Sequence, residues 1–170
     1  MKFSVKEFLI ALALAVGLFF LAQYIYPTFY GVAVPKVEDA YFNVTNFDSP
    51  FNLALRFSLI WAAVPIICFF VWKLIPDLTP SKKAATVLFT AGGILTAIFV
   101  RRFFVQRELE KLVVAVKDLA VNKKISDTLE NINFEYWMTV GLLAGTILCF
   151  ILFRKKRNNG RNSKITHQKI

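Results

Sequence analysis

Four uninterrupted apolar blocks, Phe8–Tyr26, Leu53–Ile75, Ala84–Val100 and Tyr136–Phe153, leave this chain little choice of solvent. About 20 apolar residues, each rising 1.5 Å, cross a hydrocarbon core of roughly 30 Å. Inside lipid every backbone amide needs a partner, and a helix supplies all of them within one segment. The strands of a membrane barrel alternate apolar and polar residues, and these blocks are continuous. Hydrophobic residues make up 56% of the 170, above the roughly 45–50% typical of a soluble domain. The expected fold is an all-α integral membrane protein. A four-span helical domain covers residues 1–157, and a basic tail over 158–170 holds too few apolar residues to order itself.

The first block follows Lys2 and Lys6, as a secretory signal would, but it exceeds the 7–15 apolar residues of a signal and no small-x-small cleavage site follows it. It is read as a retained span. Tyr24, Tyr26, Phe29 and Tyr30 at its far end suggest an aromatic interface belt.

Charge then sets the orientation. With the amino terminus inside, Lys2, Lys6, Lys73, Lys82, Lys83 and the tail from Arg154 to Lys169 lie on the inner side, together with only Glu7 and Asp77. That side carries the whole net charge of +10, and the outer segments sum to zero. Basic residues in short loops are retained on the cytoplasmic side. The reading is therefore N-in and C-in, multi-pass, in a cell membrane or organelle inner membrane, with both termini on the cytoplasmic or equivalent side.

The connectors differ in character. Pro27–Asn52 contains Pro27, Gly31, Pro35 and Pro50 and reads as an outer loop; within it, Asn43-Val44-Thr45 matches the N-glycosylation acceptor pattern. Pro76–Lys83 is a tight turn that makes spans two and three antiparallel neighbours, with Pro76, Asp77 and Pro80 breaking the helix and Ser81 placed to cap the next. Pro65 falls inside span two, where it removes a helix hydrogen bond and predicts a kink.

The outer connector 101–135, between spans three and four, is polar yet helix-patterned. Val105, Leu109, Leu112, Val113, Val116, Leu119 and Ala120 recur at steps of 4, 3, 1, 3, 3 and 1, which trace one face of an amphipathic helix. Asp127 and Glu130 fit a capping box for a second helix running into span four. The apolar stripe Val105, Leu109, Leu112, Val113, Val116 and Leu119 needs a cover, because it is too long to stand bare in water. The candidates are the lipid interface, helped by Phe103 and Phe104, the chain itself, or a partner protein.

Small residues mark helix-packing faces. Gly92 with Thr96, Gly93 with Ala97, and Gly141 with Gly145 are each four apart, a spacing that lets helix backbones approach closely. Spans three and four are expected to meet through Gly92, Gly93, Ala97, Gly141 and Gly145, the alternative being that Gly141 and Gly145 form an oligomer seam. Arg101 and Arg102, and the run Arg154, Lys155, Lys156 and Arg157, are candidate contacts for anionic lipid, against the simpler reading of local pairing with Glu108, Glu110 or Glu135 and helix-end anchoring.

Reactive groups are scarce. The one histidine, His167, is in the tail, so the spans offer no histidine for a haem or copper centre. No Asp or Glu lies in a span core to relay protons. Cys68 and Cys149 each sit in an apolar block and read as buried packing groups. No cofactor is expected. The leading reading is a non-catalytic accessory subunit or assembly factor of a larger membrane complex, whose partners are membrane lipids and other membrane subunits. Nucleic acid is not expected, because the tail lacks interleaved aromatics for base stacking. The alternatives are a lipid- or small-solute-handling protein, with a cavity behind Pro65 and Arg56, Arg101 and Arg102 at its outer mouth, and a membrane tether working through the tail.

Overall fold

The computed structural model describes residues 5–33, 50–75, 78–117 and 133–154. These residues form four α-helices: α1 (Val5–Ala33), α2 (Pro50–Leu74), α3 (Pro80–Lys117) and α4 (Phe134–Phe153). Each contains a stretch long and apolar enough to cross a membrane, and no strand occurs among the described residues. The chain is a multi-pass helical membrane protein.

Two antiparallel hairpins make the bundle. Helix α1 packs along α2 and α3 along α4, while α2 also touches α3 and α4. The start of α1 meets the end of α2, where Glu7 and Lys73 form an ion pair. The start of α3 meets the end of α4, where the Phe89 and Phe153 rings lie 6.1 Å apart. The first and last described helices therefore begin and end at the same end of the bundle.

Besides Pro50, which opens α2 rather than lying in the outer loop, two proline positions depart from the sequence expectation. Helix α1 runs past Pro27 to Ala33 instead of yielding to a loop there. Pro27 has no N–H for the Gln23 carbonyl, at a cost of about 3 kcal/mol in a helix interior. Aromatic packing offsets it: the Tyr26 and Phe29 rings lie 5.4 and 4.8 Å from Phe57, and Phe29 and Tyr30 lie 5.8 and 6.0 Å from Phe134. Each such pair contributes roughly 0.5–1.5 kcal/mol beyond burial, so the four together supply about 2–6 kcal/mol, of the same size as the loss. Of the expected aromatic belt only Tyr24 is fully outward, at 83% exposed; the other three rings turn inward. The second departure is Pro80, which opens α3 rather than breaking a helix. Its missing N–H is harmless in the first turn. Thr79, not Ser81, is the cap, and its hydroxyl accepts a long 3.5 Å hydrogen bond from the Lys82 N–H.

Helix α3 has 38 residues, about 57 Å at 1.5 Å per residue, against a hydrocarbon core of roughly 30 Å. Its second half, from Arg101 onward, projects beyond the apolar stretch as an unbroken continuation. Helix α4 starts at Phe134, because Asn133 before it holds φ 48° and ψ 44°, a left-handed conformation that asparagine tolerates better than most residues. A helix entering span four continuously from Asp127 is thereby corrected; Asp127 and Glu130 themselves lie outside the described residues, as do Asn43 and the tail 158–170.

Candidate functional site

The α3–α4 contact is built on backbone. A Cβ at Gly93 would collide with the Gly141 carbonyl, one at Gly141 would reach the Ala97 Cβ at 2.7 Å, and one at Gly145 would press on the Phe89 carbonyl and on the Thr90 Cα at 3.1 Å. Gly93, Ala97, Gly141 and Gly145 are thus brought together. Gly92 is not among them: a Cβ there meets nothing within 4 Å. It lies one residue, or 100°, around the helix and faces away from the contact.

That close approach leaves a furrow on the outward side of the pair. A groove of about 600 Å³ runs along it, with Gly92, Thr96 and Ala144 on its open surface and Leu88, Val100 and Leu148 among its walls. Thr96 and Ala144 are exposed. The walls are large and the middle is small, which is the relief that admits a further helix at short range.

The opposite side of the contact faces α2 and holds buried hydroxyls; a further buried polar residue, Glu135, lies in the first turn of α4. Ser58, Thr86 and Thr90 are fully buried. Their hydroxyls donate to the Ala54, Lys82 and Thr86 carbonyls at 2.8, 2.9 and 2.8 Å, each four residues back along its own helix. A hydroxyl committed to its own backbone is satisfied in lipid and is no activated nucleophile. Cys68 Sγ donates to Thr90 Oγ1 at 3.9 Å and Cys149 Sγ to the Thr86 carbonyl at 3.7 Å. Both thiols are free and buried. Among the described residues no group of three His, Cys, Asp or Glu side chains gathers as metal ligands.

The bundle covers the two stripe residues of the projecting half of α3 whose side chains are described. Val105 and Leu109 are 0% and 1% exposed and belong to the cluster that holds Tyr26, Ala33, Phe57 and Phe134. Phe103, Phe104 and Val114 are exposed. The backbone at Leu112, Val113 and Val116 is helical; Leu119 lies outside the described residues. Arg101 pairs with Glu108 at 3.8 Å, Arg107 lies 4.4 Å over the Phe103 ring, and Arg102 is half-buried. Arg154 is exposed just past α4, and Lys155, Lys156 and Arg157 lie outside the described residues.

A cavity of about 390 Å³ lies among α1, α2 and α3. Pro65 is in its lining, and the cavity's charged residues lie at the end of the bundle where α1 begins. The lining includes Glu7, Lys73 and Lys83 rather than Arg56, Arg101 or Arg102. The three arginines belong to the opposite end of the bundle, with the start of α2 and the far half of α3.

No protein-family model, curated protein or solved structure matches the chain.

Two features lie beyond the motif reading. The buried side of α1 is alanine-rich, with Ala11, Ala15, Ala22 and Ala33 all under 9% exposed, and this small-residue face seats α1 on α2. Its four-residue spacing from Ala11 to Ala15 is the signal that could have found it. The cavity rim pairs residues from three helices, and no local pattern announces it.

Proposed function

We propose that this chain is a non-catalytic subunit or assembly factor of a larger membrane protein complex. It sits with both termini on the cytoplasmic or equivalent side and takes another transmembrane helix into the α3–α4 groove. The groove carries this reading. Gly93, Gly141 and Gly145 form the backbone contact at the floor of the groove, and the small residues Gly92, Thr96 and Ala144 keep it open between Leu88, Val100 and Leu148. In lipid, helices associate by packing rather than by escape from water, so such relief is what a partner helix recognises. The buried hydroxyls, bonded to their own backbones, favour a structural role over chemistry. A second reading, lipid or small-solute handling, draws on the cavity with its lysine rim.

The test is purification from native membrane in mild detergent. A stable larger assembly containing distinct membrane polypeptides is expected; a particle of the 19.4 kDa monomer mass with no companion overturns the subunit reading.

A further inference from the structure

The cavity among α1, α2 and α3 has the dimensions and the polarity of a lipid site. Along α1 its lining runs from Glu7 to Leu18, eleven residues or about 16 Å at 1.5 Å each. Half of a roughly 30 Å hydrocarbon core is about 15 Å, the depth of one leaflet. Below the rim the lining is apolar, with Ile10, Leu14, Val64, Phe69 and Val87 among its walls. At about 390 Å³ it is at the small end of ligand pockets, which span roughly 300–1,000 Å³. That suits one acyl chain and excludes a whole two-chain lipid.

The rim is cationic. Lys73 and Lys83 both line the cavity, and Glu7 offsets only one of them. The Lys83 ammonium stands 5.8 Å over the Trp72 ring, and Lys73 stands 5.7 Å over Phe69 while pairing with Glu7. Aromatic faces thus hold two ammonium groups at the mouth of an apolar slot. A phosphate between them would be neutralised there while its chain runs one leaflet deep.

We propose that this cavity binds one acyl chain of an anionic phospholipid, with the headgroup phosphate held by Lys83 and Lys73. The site is separate from the α3–α4 groove and stands whether or not a helix docks there.

The full chain, purified in mild detergent and exchanged into nanodiscs of mixed phosphatidylglycerol and phosphatidylcholine, is released for native mass spectrometry. One phosphatidylglycerol is expected to stay bound in preference to phosphatidylcholine. Lys83→Gln should weaken that retention about fivefold, the worth of one lysine beside an anionic headgroup. Val87→Trp, which fills the slot, should abolish it. Lys111→Gln, an exposed lysine on the projecting half of α3, should leave it unchanged. Since Lys83 is exposed, its substitution does not disturb the fold, so a failure of Val87→Trp to fold still leaves the Lys83 arm decisive. Equal retention of the two lipids, or anionic retention untouched by Lys83→Gln, overturns the site.

Discussion

A methyl group added at Gly141 would meet the Ala97 Cβ at 2.7 Å and the Gly93 carbonyl carbon at 2.8 Å, and neither neighbour can swing aside as a flexible side chain would. Gly141→Leu should therefore push α3 and α4 apart and lower stability by about 1–3 kcal/mol, the usual cost of overpacking. Gly92→Leu, where a Cβ meets nothing within 4 Å, should melt like the parent. Thermal unfolding in mild detergent separates the two, and equal melting would show that the helices do not rely on this contact. The sequence marks Gly92 and Gly93 alike, each with a small residue four places on, and gives no way to choose between them. The choice is made by the tertiary packing of α3, in which Thr90 takes a hydrogen bond from Cys68 of α2 and Ile94 is buried in the core; that rotation turns Gly93 to α4 and Gly92 outward.

The projection of α3 belongs to the next scale. Its periodicity is legible in sequence, because Val105 and Leu109 fall at helical spacing and charged residues take the remainder. The cover is not legible, because it comes from Ala33 and Phe134, distant in the chain and brought close by the bundle. The length of α1 was hidden for a similar reason. Pro27 argues locally for a loop, and the rings that carry the helix past it, Phe57 and Phe134, sit on other helices. A charge on the covered face should be costly: Val105→Lys takes an ammonium out of water into the cluster of Tyr26, Phe57 and Phe134, a loss of several kcal/mol. Val114→Lys, on a position 60% exposed, should cost next to nothing. Melting temperatures of the two variants check this, and tolerance of Val105→Lys would mean that the projection does not pack on the bundle.

At the scale of the molecule, the four apolar blocks foretell the bundle, and short connection between spans two and three foretells an antiparallel pair. Negative space is another matter. The cavity exists because α1 runs along α2 while α3 runs along α4, and a wedge remains between the hairpins; no residue spacing encodes it, because its charged residues come from three different helices. The groove is a by-product of glycines whose own contact is internal. Whether that groove holds another protein decides the proposed role. A photo-crosslinking residue placed at Thr96, in the groove, and separately at Leu21, on the exposed face of α1, measures this in native membrane. The expected product from Thr96 is one discrete adduct with a different membrane polypeptide, absent from Leu21. An adduct of twice the chain's own mass, or the same lipid adducts from both positions, would rule out a dedicated subunit interface there.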